Sequence, residues 1–136
     1  MIHLSIATIE QEVFRGEVKE ISLATIAGEL TILQNHIPLV VPLVVGEMRI
    51  RRENEEDMVF ALSGGILEVR EGSEVVVLAD HSENIETLDK KISEQKYESL
   101  KKELEEGTYD KDALADIEKI MQRHMNRISL LDKYKK

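Results

Sequence analysis

Alternation of apolar and polar residues dominates the first half of the chain. Ile2, Leu4 and Ile6 alternate with His3, Ser5 and Ala7, and Val18, Glu20 and Ser22 with Lys19, Ile21 and Leu23. Successive side chains of a strand point to opposite faces, so this period of two predicts half-buried strands. The pattern resumes at Met48 and Ile50 against Glu47, Arg49 and Arg51. In between, residues 28 to 45 are rich in β-forming side chains punctuated by Gly28, Pro38 and Pro42. Proline has no N–H to give to a ladder, so both prolines belong at strand ends, edges or bulges, while Gly28 suits a tight turn. This stretch reads as a strand, a shaped loop carrying Gln34, Asn35 and His36, and a second strand. Residues 51 to 57 contain no apolar member and lead into Met58-Val59-Phe60-Ala61-Leu62, the pattern of a solvated hairpin tip. Ser63-Gly64-Gly65 and Glu71-Gly72-Ser73 mark further turns. About eight short strands fit within residues 1 to 80, which favours an antiparallel β-sandwich or flattened barrel over a parallel sheet.

Beyond residue 84 the period changes. Leu88, Ile92, Leu100 and Leu104 recur at multiples of four, predicting an amphipathic helix with Thr87 as N-cap, Asp89 at the positive end of its dipole and Gly107 at its stop. Thr108 or Asp110 caps a second helix, with Leu114, Ile117, Met121, Met125, Ile128 and Leu131 at offsets of three and four. Two single-striped helices joined by a short turn most simply bury each other as an antiparallel hairpin. The expected fold is therefore α+β: a β-sandwich over 1 to 84, then a two-helix hairpin over 85 to 136.

Composition narrows what such a chain does. Its 136 residues include no cysteine, which excludes disulfides, thiolate metal sites and cysteine nucleophiles. A net charge of −9 argues against binding to phosphate backbones or anionic lipid, so nucleic acid is not an expected partner. Residues 1 to 85 carry 15 acids and 6 bases, whereas residues 86 to 136 carry 12 of each, so all net charge lies in the strand half. On the second helix Lys119, Arg123 and Arg127 follow at four-residue steps, either complementing the helix C-terminus or forming a docking stripe. The uncharged run over residues 30 to 46 contains Gln34, Asn35, His36 and both prolines, so it is not expected to cross a membrane. No targeting segment is visible at the start, and membrane association is expected only through another protein. The four histidines, His3, His36, His81 and His124, lack the paired spacing of a zinc motif. Ser63 does not sit between two single-spaced glycines as a nucleophile elbow requires. No catalytic residue and no metal site is expected.

Order and spacing of motifs resemble the epsilon subunit of the F-type ATP synthase over nearly the full length. Gly28-Glu29-Leu30, Ile32-Leu33 and His36-Ile37-Pro38-Leu39 match the family's first signature loop, with Thr31 in place of a usual glycine and Gln34-Asn35 in place of proline-glycine. Ser63-Gly64-Gly65-Ile66-Leu67-Glu68-Val69 matches a second signature, and Val77-Leu78-Ala79-Asp80 matches the end of the family's last strand.

This resemblance implies a noncatalytic subunit at the foot of the central stalk of a proton- or sodium-translocating synthase. It would lie peripherally on the cytoplasmic face of a bacterial membrane, reaching the membrane only through the complex. The sandwich would bind the gamma subunit and rest on the c-subunit ring, with Glu29 facing the ring and His36 and Val41 near gamma. The hairpin would fold against the sandwich or extend into the alpha/beta catalytic head, where Lys119, Arg123 and Arg127 would pair with acidic surfaces and block ATP hydrolysis. Some members bind ATP through a motif that this chain matches as Leu88-Asp89-Lys90-Lys91-Ile92-Ser93. Glu83, Asp89, Arg123 and Arg127 are the matching candidates, but Ile92 stands where the motif has arginine, which removes one charge-assisted phosphate contact. ATP binding is expected to be weak or absent, and no other cofactor is expected. A freestanding adaptor using its hairpin as a docking arm is the alternative reading of the same architecture.

Overall fold

The computed structural model describes residues 1 to 135; Lys136 lies outside the described residues. It comprises two compact units, Met1–Asn84 and a second beginning at Ile85.

Nine strands form the first unit: β1 (Ile2–Ala7), β2 (Glu12–Val18), β3 (Glu20–Thr25), β4 (Gly28–Ile32), β5 (Leu39–Arg51), β6 (Met58–Leu62), β7 (Gly65–Arg70), β8 (Glu74–Ala79) and β9 (Ser82–Asn84). They belong to one curled sheet in the order β2-β1-β8-β7-β5-β3-β4, with β6 pairing β5 and β9 off that path. β5 is the hinge of this arrangement. Residues 39 to 43 pair with β7, residues 46 to 50 pair with β6, and β3 runs along its other edge. The single long strand therefore serves both layers of a half-barrel sandwich. Where the layers part, the β3–β5 register shifts between Leu23 and Thr25, a bulge of the kind that bends a strand. Gly46 lies in this stretch, and a Cβ there would approach the Ala24 Cβ to 2.8 Å.

The alternation read from the sequence fills the core. Ile2, Leu4 and Ile6 of β1 are at most 1% exposed, and they pack with Leu23, Ile50, Phe60, Leu67 and Val77 into one cluster. Pairing is antiparallel throughout the described ladders except between β1 and β8, which run parallel. Alternation alone does not distinguish the two directions, because both ladders have the same period of two. β9 is an additional strand within the stretch where the pattern breaks; three residues are too few to display a period.

Pro42 lies inside β5 without disrupting it. Its carbonyl accepts from the Ile26 N–H at 3.0 Å. Backbone N and O of one strand residue point to the same edge, so the missing N–H faces the β3–β4 turn, just past the last residue at which β3 pairs with β5. That turn is held by Thr25, whose hydroxyl donates to the Gly28 carbonyl at 2.6 Å and accepts from the Ala27 N–H at 3.1 Å.

The second unit opens with a 3-10 turn, Ile85–Thr87, followed by α1 (Lys90–Glu106) and α2 (Lys111–Tyr134). Thr87 belongs to that turn and is not the cap; the N-cap of α1 is Asp89, whose carboxylate accepts from the Lys91 and Ile92 N–H groups. Asp110 caps α2 by accepting from the Ala113 N–H at 2.8 Å. Gly107 ends α1, but in extended backbone (φ −105) rather than the left-handed conformation that demands glycine. Lys90 pairs with Asp132, and Lys135 with Glu86 at 3.0 Å, so the start of one helix meets the end of the other and the hairpin is antiparallel.

The buried side of the hairpin helices differs in phase from the expected stripe. Ile92 is 50% exposed, and the inward positions of α1 are Ser93, Tyr97, Leu100 and Leu104. At 3.6 residues per turn, a residue eight before Leu100 is rotated about 80° from it, whereas one seven before is rotated only about 20°. The same drift turns Leu114 and Met125 of α2 mostly outward and brings His124 to 4% exposure. Ile92 consequently has no core role.

Candidate interaction surfaces

Strands that face solvent on one side are expected to alternate, yet Val40 to Val45, Ile66-Leu67 and Val75 to Leu78 are nearly continuous apolar runs. Such runs must place apolar side chains on both faces. Across the sheet, Pro42 of β5 pairs with Ile66 of β7, Ile66 with Leu78 of β8, and Leu78 with Ala7 of β1. Ile66 is 48% and Leu78 54% exposed, so this row faces outward. Along β5, Val40 and Val44 share the outward face with Pro42. Ile26, in the turn whose N–H meets the Pro42 carbonyl, is also exposed. The outer face of β5, β7 and β8 is thus an apolar field, the kind of surface that marks a protein contact.

One acid sits in that field. Glu68 lies between Val40 and Val76 in the ladder. Arg70 reaches its two carboxylate oxygens at 3.0 and 3.3 Å and Glu74 at 3.2 Å. These hydrogen bonds from the guanidinium hold the Glu68 carboxyl below the ordinary carboxylate range. The charge is therefore countered within the surface itself.

At one end of this surface the 33–38 loop carries further apolar side chains, with Leu33 55% and Ile37 75% exposed. His36 is half-buried, and its ring Nδ1 stands 2.7 Å from the Ile37 carbonyl, a distance that requires this nitrogen to donate. Val41 turns inward at 9% exposure and joins the core; the outward residue beside it is Val40. Val40, and not Val41, is the side chain that this part of β5 presents to solvent. Glu29 is exposed on β4, the last strand in the sheet order, next to Gly28 at φ 107.

In the helical unit, the three basic residues of α2 are not equivalent. Lys119 is exposed, whereas Arg123 and Arg127 are half-buried, and Arg127 Nη1 lies 3.2 Å from the His124 Nδ1. Steps of four residues drift by about 40° each, which carries the stripe from the open side of the helix toward its buried side. Among the nucleotide-site candidates, Asp89 is occupied as the helix cap, and Glu83 lies on β9. No group of histidines and acids with metal-holding geometry occurs among the described residues. No described helix is long and apolar enough to cross a membrane.

Residues 1–85 match the family of the ATP synthase, Delta/Epsilon chain, beta-sandwich domain. An ATP synthase epsilon chain of Halalkalibacterium halodurans is 33% identical over 129 residues, covering 95% of this chain and 96% of that one. The ATP synthase epsilon chain of Priestia megaterium is 41% identical over 88 residues, 65% of this chain and 64% of its own length. Among solved structures, a chain of the Euglena gracilis mitochondrial ATP synthase (OSCP/F1/c-ring in rotational state 1) superposes with a TM-score of 0.80 at 19% identity, covering 96% of this chain and 81% of that one. The central stalk/c-ring structure of the Tetrahymena thermophila mitochondrial ATP synthase gives 0.58 at 14% identity, covering 93% and 96%. At those identities the superpositions speak to the fold alone. The curled sheet is thus the beta-sandwich domain of the Delta/Epsilon class. By its relatives over nearly full length, the chain belongs to the ATP synthase epsilon chain family.

Proposed function

We propose that this chain is a noncatalytic rotor subunit of the synthase, joining the gamma subunit to the c ring on the cytoplasmic side of the membrane. The observation that carries this reading is the outward apolar face built from Val40, Pro42, Val44, Ile66 and Leu78, a surface made for a permanent protein neighbour. A neighbour of that kind is suggested by a solved structure of the same fold, which is of a central stalk and c-ring assembly. In this reading Glu29, exposed on β4 beside a turn, faces the ring and His36 faces gamma. Contact with the membrane runs through these partners.

The hairpin acts as a restraint on ATP hydrolysis. In an extended state, Lys119, Arg123 and Arg127 engage acidic surfaces of the alpha/beta head, where partly desolvated charge pairs are worth more than exposed ones. Nucleotide plays at most a weak part, since Ile92 provides no guanidinium for a phosphate. Reconstitution of the synthase with the full chain, with the chain ending after Asn84, and with the three bases changed to glutamate tests this restraint. Both altered forms are expected to raise ATP hydrolysis above the full chain. Equal hydrolysis in all three would remove the inhibitory role.

A further inference from the structure

The turn carrying His36 has neither proline nor glycine at its two central places, Gln34 and Asn35. The His36 N–H donates to the Leu33 carbonyl at 3.1 Å, closing a four-residue turn. Asn35, its third residue, has φ 64, whereas Gln34 is not among the residues with positive φ, which defines a type II turn. Proline second and glycine third form such a turn from backbone preference alone. Here two polar residues occupy those places. Asparagine tolerates the left-handed region but at a cost glycine does not bear, so a contact that fixes it there contributes to the shape of the loop.

The holding contact comes from 38 positions away. The Asn35 N–H donates to the Ser73 Oγ at 2.8 Å, and the Ser73 hydroxyl donates back to the Asn35 Oδ1 at 3.2 Å. Ser73 is itself 7% exposed with φ 58, and its carbonyl accepts from the His3 N–H at 2.8 Å. The loop tip is thereby tied through the β7–β8 turn to the first core strand. By contrast, the bond from the His36 ring joins sequence neighbours and does not anchor the loop.

We propose that Asn35 and Ser73 form a side-chain clasp that presets the 33–38 loop for binding, presenting Leu33 and Ile37 to the gamma subunit in a fixed shape. Both are positioning residues: they act through the loop. The partner's identity rests on the rotor reading above; the ordering of the loop does not. Pre-ordering lowers the conformational cost of association, and losing it shows mainly as faster dissociation.

Ser73→Gly in the full chain removes the hydroxyl while suiting the local φ. The Asn35 amide is then expected to exchange its hydrogen about tenfold faster, and gamma to dissociate about tenfold faster, with the unfolding midpoint little changed. Adding Gln34→Pro and Asn35→Gly restores slow dissociation, because backbone preference then makes the type II turn unaided. That rescue also separates positioning from general destabilisation if Ser73→Gly lowers the midpoint. Unchanged exchange, unchanged dissociation, or no rescue by the proline-glycine pair each overturns the proposal. If the unaltered chain fails to bind gamma, the rotor reading and the proposed presentation to gamma fail together, and the exchange comparison alone decides whether the clasp orders the loop.

Discussion

Gly65 and Gly28 both have positive φ, at 126 and 107, yet they are not equally replaceable. A Cβ on Gly65 would stand 2.2 Å from the Leu78 carbonyl oxygen, whereas one on Gly28 meets nothing within 4 Å. Gly65→Ala should therefore cost more than about 2 kcal/mol in urea unfolding, through clash as well as strain. Gly28→Ala should cost only about 1 kcal/mol, from strain alone. Neighbouring valines give a second contrast. Val41→Asp buries a charge in the core and should destabilise by about 3 kcal/mol or more, while Val40→Asp should leave stability within about 0.5 kcal/mol and weaken gamma binding. Equal loss of stability in the two would contradict the inward and outward assignment. From the sequence, the run from Leu39 to Val45 was legible as strand but not its facing, because a continuous apolar run has no alternation to reveal which residue points in. That missing alternation was itself the sign of an apolar outer face.

For the helices, what the sequence made plain and what it obscured have one geometric cause. Their existence and antiparallel pairing follow from period and turn residues, and the cap of α2 falls on Asp110, one of the two residues the sequence offered. Their facing does not, because offsets of exactly four drift by about 40° per step and short apolar stripes tolerate two phases. Hence Ser93 and His124, polar by type, are buried, and Ile92 and Met125 are exposed. Asp110→Ala should lower stability by about 1 kcal/mol, read as a loss of helicity at a lower temperature by far-UV circular dichroism. Because Ile92 is half exposed, Ile92→Arg leaves the buried side of the helix intact and isolates the nucleotide question. Titration calorimetry is expected to show no saturable heat with millimolar ATP for the unaltered chain and a gain for the variant. Tight binding by the unaltered chain would mean that another residue replaces the absent guanidinium.

For the molecule as a unit, two kinds of information were needed. Periodicity led to strands followed by helices, but the parallel β1–β8 pair joins residues 71 positions apart and the β5–β7 ladder residues 22 to 30 apart, and local pattern does not encode such contacts. The motifs around Gly28, His36 and Ser63 carried the family assignment, since a sandwich with a hairpin suits many interaction proteins. With the apolar face lying wholly on strands of the first unit, the sheet should bind gamma without help from the hairpin. Co-expression of a tagged chain with gamma from the same source, followed by affinity capture and gel filtration, measures this directly. Gamma should co-elute with the full chain and with the chain ending after Asn84, and should be lost with Val40→Asp. A folded full chain that elutes alone, leaving gamma behind, would contradict the rotor reading.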